Sequence, residues 1–184
     1  GTYLIAGMVT GGDVEVSHCI PEHLDSLISK LRECGAEVNE TTDSVRVKAP
    51  KQIQALDVQT FPYPGFPTDL QAQMMAMMSV AGGTSIITEN VFEGRYLHVP
   101  ELQRMGASIT VDGSRAVVKG VPQLTGAQVM ASDLRASAGL VLAALAAEGE
   151  TQITRVYHLE RGYERIEDKL QGLGAMVRRE PASA

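Results

Sequence analysis

Three short stretches of this chain carry more acid and base than their surroundings require. The first is Phe-Pro-Thr-Asp-Leu-Gln-Ala-Gln at 66–73, where a loop rich in proline and glycine runs into an apolar helix pattern. Asp69 falls in the first turn, where a carboxylate complements the positive end of the helix dipole, and Thr68 with Gln71 has the spacing of a capping box. A carboxylate held at such a junction also has the chemistry to accept a proton from a substrate hydroxyl. The second stretch, Ser132-Asp133-Leu134-Arg135, is the matching junction farther along. Ser132 suits the N-cap and Asp133 the dipole, but Arg135 puts a cation where the helix field disfavours it. An anion sharing the helix amides with the guanidinium would reconcile this, as would a salt bridge to Asp133 or Glu164.

The third is the loop 156–165 with its counterpart 90–98, which present Arg161 and Arg95. Together with Arg135 they could form planar, bidentate contacts to a phosphate or carboxylate, and solvated capping loops account for them equally well. His18, His23, His98 and His158 lack metal-ligand spacing, so no metal is expected. Met74, Met75, Met77 and Met78 read as core filler, with one or two facing outward. Cys19 and Cys34, without CxxC spacing, read as small buried thiols in a reducing compartment. No dinucleotide fingerprint, Walker loop or nucleophile elbow is present, and no cofactor is expected.

The elements that must position these residues are copies of one another. Leu-x-x-x-Gly-Ala recurs at Leu31, Leu102 and Leu170, and its glycine recurs 71 residues on, from Gly35 to Gly106, then 68 on, to Gly174. The middle copy predicts a strand at 56–60, a helix whose stripe is Leu70, Met74, Met77, Met78 and Ala81, and a strand at 85–88. A helix at 99–105 with Pro100 in its first turn follows, then strands at 107–111 and 116–119 joined at Asp112-Gly113, which supplies positive φ angles. The unit is therefore βαβαββ, and the chain reads as one domain of three repeats, about 1–53, 54–122 and 123–184. The first repeat opens inside its first helix. The third repeats the helix stripe at Leu134, Ala138, Val141, Leu142 and Leu145 but stops short of its final strand. That predicts an unpaired sheet edge, filled by another polypeptide or by self-association.

The chain of 184 residues is 44% hydrophobic and 21% charged, ordinary for a soluble domain with a real core. Its longest apolar run, 136–147, suits a buried helix better than a bilayer, and no signal peptide is expected. A net charge of −6 argues against nucleic-acid binding.

Five segments carry a family resemblance: Pro-Gly-Phe-Pro-Thr-Asp-Leu-Gln-Ala-Gln (64–73), Asn-Val-Phe-Glu-Gly-Arg (90–95), His-Val-Pro-Glu-Leu (98–102), Ser-Asp-Leu-Arg-Ala-Ser-Ala (132–138) and Arg-Gly-Tyr-Glu-Arg-Ile-Glu-Asp-Lys-Leu (161–170). The chain resembles the UDP-N-acetylglucosamine enolpyruvyl transferases along essentially its whole length. The sister EPSP synthases share the repeat architecture but lack the Phe-Pro-Thr-Asp and Arg-Gly-Tyr-Glu-Arg pair. The resemblance implies an inside-out α/β fold, two domains of three repeats each, and substrates in the cleft between them. It implies that this chain is the C-terminal portion only, without the N-terminal half, its Lys-Asn segment and the loop whose reactive cysteine donates a proton. Neither Cys19 nor Cys34 lies in that loop motif. In the family the extreme N-terminal strand returns to complete this domain.

The implied reaction transfers enolpyruvyl from phosphoenolpyruvate to the sugar 3′-hydroxyl, for peptidoglycan synthesis in the cytoplasm, without metal or cofactor. By the same resemblance Asp69 contacts the sugar hydroxyl and Val91 gives a backbone contact to the nucleotide sugar. Asp133 is the second carboxylate at the reacting centre, and Arg161, Arg95 and Arg135 meet the phosphoenolpyruvate groups. The isolated chain is expected to fold and to be inactive. The competing expectation is a non-catalytic nucleotide-sugar-binding or scaffold domain of the same fold.

Overall fold

In the computed structural model, which describes residues 1–180, three helices are wrapped by small sheets. The last four residues of the expected third repeat, 181–184, lie outside the described residues. The first repeat supplies α1 (Thr2–Val9), β1 (Asp13–Ser17), α2 (Asp25–Glu33), β2 (Glu37–Glu40) and β3 (Ser44–Lys48). The second supplies β4 (Val58–Gln59), α3 (Gln71–Met78), β5 (Thr84–Thr88), α4 (Val99–Arg104), β6 (Ser108–Asp112) and β7 (Arg115–Lys119). The remainder forms β8 (Leu124–Thr125), β9 (Gln128–Met130), α5 (Leu134–Ala146), β10 (Ala147–Glu148), β11 (Gln152–Thr154), α6 (Tyr157–Glu160) and α7 (Ile166–Gly172).

The sheets repeat one plan. In the second repeat the order is β4-β5-β7-β6, with β4 parallel to β5 and the β5–β7 and β7–β6 pairs antiparallel. The first repeat keeps β1-β3-β2, the counterpart of β5-β7-β6, with Val14 opposite Val47 and Val16 opposite Val45. The third keeps the parallel pair β9–β11, the counterpart of β4–β5. Among the described residues β1 pairs only with β3 and β11 only with β9, so each of those sheets has an open edge next to the strand that the second repeat completes.

The recurring Leu-x-x-x-Gly-Ala has a single conformation in all three places. Gly35, Gly106 and Gly174 take φ of 95°, 90° and 96°, the left-handed conformation that ends a helix cheaply only in glycine. The alanine amide then reaches back to the leucine carbonyl, at 3.0, 3.0 and 2.9 Å for Ala36, Ala107 and Ala175. This closes α2, α4 and α7 by the same two-bond motif, so the repeat is a repeat of helix ends.

Three expectations need correction. The α3 stripe suggests one buried face, with a methionine or two outside, yet all eight residues of α3 are buried and Met74, Met75, Met77 and Met78 are 0% exposed. The helix is enclosed by α1, α5, β5 and β7, so its polar residues are inside as well. In α5 the buried face is Ala136, Ser137, Ala138, Gly139, Leu140, Leu142 and Ala143, smaller than the predicted stripe; Leu134, Val141 and Leu145 are only partly covered. Small residues are needed because the helices nearly touch: a Cβ on Gly139 would lie 2.8 Å from the Ala72 carbonyl oxygen. The β6–β7 turn, finally, has Asp112 paired with Arg115 as the last ladder pair, and Gly113 alone at positive φ (56°) within it.

Candidate active site

The starts of α1, α3 and α5 lie together at one end of the core. Gln73 in the first turn of α3 donates to Thr2 Oγ1 of α1 at 3.1 Å, and Tyr163 Oη stands 2.7 Å from the same hydroxyl. Arg135 Nε in the first turn of α5 donates to Asp69 Oδ1, just before α3, at 2.8 Å. Three helix N-termini thus face one mouth, a field that favours negative charge there.

Asp69 sits in a 3-10 turn, Thr68–Leu70, that leads into α3. The expected capping box is absent. Thr68 Oγ1 instead donates to Glu89 Oε2 at 2.9 Å, and Gln71 Nε2 donates to the Arg95 carbonyl at 3.2 Å. Glu89 outcompetes the helix amides because it is a buried carboxylate, 4% exposed, that must be satisfied inside. Its Oε1 accepts from Thr60 Oγ1 (2.7 Å), the Val91 amide (2.9 Å) and the Phe92 amide (3.1 Å). Glu89 is the buried anchor of these loops that the sequence reading overlooks. It fixes Thr68, hence Asp69, and it fixes the backbone of Val91.

Arg95 joins the same network. Its Nη1 donates to Thr68 Oγ1 at 2.7 Å and lies 3.9 Å from Asp69 Oδ1, while the guanidinium carbon stands 4.5 Å from the centroid of the Phe92 ring. Two arginines from different repeats therefore converge on one carboxylate oxygen. Asp69 Oδ2 makes no hydrogen bond among the described residues, which leaves it available to a ligand.

At the second junction Asp133, not Ser132, is the N-cap of α5. Its Oδ1 accepts from the Arg135 and Ala136 amides at 2.8 and 3.0 Å, the geometry of a strong cap. Ser132 Oγ is buried without a partner among the described residues. The misfit of Arg135 is resolved by Asp69 rather than by Asp133 or Glu164. That hydrogen bond is the main cause that raises the Arg135 pKa, so the guanidinium stays charged.

Arg161 stands apart from this contact set. It is exposed at the C-terminal end of α6, with no hydrogen bond or ion pair among the described residues. Its neighbours do touch the mouth: Gly162 packs against Leu134, where a Cβ would lie 2.8 Å from Cδ2, and Tyr163 meets Thr2 and Gln73. Behind the arginines His98 is 2% exposed and lines a small cavity with Thr68, Gln71, Arg95, Asp133 and Arg135. Burial pushes its pKa down to about 4, against the opposing pull of Asp133, so the imidazole is neutral. Among the described residues no cluster of three or more His, Cys, Asp or Glu could hold a metal ion, and no helix is long and apolar enough to cross a membrane. Both cysteines are free thiols, Cys34 buried and Cys19 half-buried.

The family model for EPSP synthase (3-phosphoshikimate 1-carboxyvinyltransferase) matches residues 1–170. The chain is 58% identical over 182 residues to a UDP-N-acetylglucosamine 1-carboxyvinyltransferase of Myxococcus xanthus and 60% identical over 182 residues to one of an Anaeromyxobacter species. In each case 99% of this chain aligns, but it spans only 43% of the relative's length. Among solved structures it is similar to the enolpyruvyl transferase NikO from Streptomyces tendae, with a TM-score of 0.86 and 28% identity over 96% of this chain and 42% of that one. An EPSP synthase from Acinetobacter baumannii shares the fold, with a TM-score of 0.71 and 22% identity over 97% of this chain and 42% of that one. With the family model aligned along nearly the whole sequence and the inside-out α/β fold recurring in both solved enzymes, the chain belongs to the EPSP synthase (3-phosphoshikimate 1-carboxyvinyltransferase) family.

Proposed function

We propose that this chain is the C-terminal part of a transferase that moves enolpyruvyl from phosphoenolpyruvate to the 3′-hydroxyl of UDP-N-acetylglucosamine. It forms one domain of three repeats, 1–53, 54–122 and 123–184, and supplies one wall of the site; the remainder of the protein supplies the other wall and completes the open sheet edges. The product serves peptidoglycan synthesis in the cytoplasm. The observation that carries this reading is the 2.8 Å contact of Asp69 with Arg135, with Arg95 at 3.9 Å. It sets a carboxylate base among cations at the start of three helices.

In this reading Asp69 Oδ2 takes the hydroxyl proton as the sugar oxygen bonds to C2 of phosphoenolpyruvate, while an acid from the other wall protonates C3. Arg95, Arg135 and the outward Arg161 hold the phosphate and carboxylate. Loss of a C3 proton and departure of phosphate from C2 then restore the double bond. Asp133 is the second carboxylate of this reading, held at the start of α5 by its cap. The Val91 amide is held by Glu89, which leaves its carbonyl as the backbone contact for the nucleotide sugar.

The test is a chimera in which this chain replaces the matching 182 residues of the Myxococcus xanthus relative. Phosphate release that needs both phosphoenolpyruvate and UDP-N-acetylglucosamine is expected from the chimera, and none from this chain alone. A folded chimera that binds both ligands and releases no phosphate would favour a non-catalytic binding domain.

A further inference from the structure

Two buried polar atoms in the floor of this site lack partners among the described residues: Nε2 of His98 and Oε1 of Gln71. Their residues are 2% and 1% exposed, and both line the same cavity, which offers the centre of a water molecule about 10 Å³. A buried polar atom left without a partner is costly, so two beside one cavity call for a common partner. The space fits about one water and no larger group.

Donor and acceptor counting fixes how that partner is held. Gln71 Nε2 donates to the Arg95 carbonyl at 3.2 Å, and a carbonyl only accepts, so the amide orientation is set and Oε1 needs a donor. Asp133 also lines the cavity, and with Oδ1 engaged by the α5 amides its Oδ2 is free to accept a further hydrogen bond. A water that gives one proton to each has none left and must accept from the imidazole.

We propose that His98, as the Nε2–H tautomer, and Gln71 hold one ordered water that donates to Asp133, making His98 a positioning residue for that carboxylate. The water makes three hydrogen bonds, the usual number for a buried one. It ties the first turn of α3 to the cap of α5 and to the start of α4, and so links the second and third repeats beneath the arginines. The effect on turnover rests on the enolpyruvyl reading; the water and the tautomer do not.

The experiment therefore begins without substrate. A crystal structure of the chain is expected to show one water about 3 Å from both His98 Nε2 and Gln71 Oε1. Long-range ¹H–¹⁵N spectra of ¹⁵N-histidine protein are expected to show His98 with its proton on Nε2. No density there, a direct Nε2 to Oε1 bond, or the Nδ1–H tautomer would overturn the proposal, whatever the catalytic reading. In an active chimera, His98→Leu is expected to lower kcat about 10- to 100-fold with KM little changed, as loss of a positioning contact does. His98→Gln, whose amide can still donate, should recover most of that loss. Equal losses in the two variants would mean that His98 only fills space.

Discussion

Replacing Glu89 should damage stability and site together, and the size of the damage follows from its bonds. The carboxylate accepts four hydrogen bonds: from Thr60, Thr68 and the amides of Val91 and Phe92. Glu89→Ala leaves all four donors without it. The loop amides can turn to solvent, since Phe92 is exposed and Val91 half-buried, but Thr60 is 0% exposed and has none to turn to. Breaking a buried charged network in this way costs about 3–5 kcal/mol, or roughly 6–20 °C of Tm for a chain of this size. Glu89→Gln is gentler. Its amide oxygen can keep Thr60, Val91 and Phe92, while its NH2 meets the Thr68 hydroxyl, which then loses only its acceptor, a cost of about 1–3 kcal/mol. Urea unfolding followed by circular dichroism separates the two. A Glu89→Ala variant within about 1 kcal/mol of the parent, or a Glu89→Gln variant as unstable as Glu89→Ala, would refute the network argument.

Other expectations are narrower. Asp133→Asn should keep the stability of the chain within about 0.5 kcal/mol, because asparagine caps as well as aspartate, whereas Asp133→Ala should lose about 1 kcal/mol; thermal melts of both decide. His98 has its pKa lowered from 6.5 to about 4 in the fold, so the unfolded chain binds the proton first. The stability due to its neutral form is complete above about pH 6.5 and falls toward pH 4 by about 3 kcal/mol, and His98→Leu should flatten that part of a stability profile measured by urea titration. Burial pushes the Cys34 thiol up to about 12 while Cys19 is half-buried, so one thiol should react with a disulfide reagent in the native chain and two after unfolding.

Sequence reading reaches the repeats readily because their signature is local. A leucine, a glycine forced to positive φ and an alanine specify a helix end within six residues, and all three copies close as that pattern requires. Partners across the fold are out of its reach. Arg135 announces an anion at the start of α5, but the anion is Asp69, 66 positions earlier, while nearby Asp133 is spent on the cap. Thr68 has capping-box spacing, yet a buried carboxylate 21 positions later claims its hydroxyl. The only signal for Glu89 is an acid two positions after the apolar strand residues Ile86 and Ile87. The enclosure of α3 has no local signature, because glutamines at positions 71 and 73 suggest an outer face and only the packing of α1 and α5 covers them. His98 likewise reads as a solvated helix start until Gln71, Arg95 and Asp133 are placed around it.

The claim on which the rest depends is that Asp69 acts as a base among the arginines at the shared mouth, rather than as a surface ion-pair partner. Its contact with Arg135 is half-exposed and contributes below about 1 kcal/mol, so Asp69→Asn leaves the fold intact. Phosphate release by the chimera carrying Asp69→Asn is the direct measurement. The account predicts a fall in kcat of about 100-fold or more with an unchanged melting temperature; turnover within a few-fold of the parent chimera would contradict it.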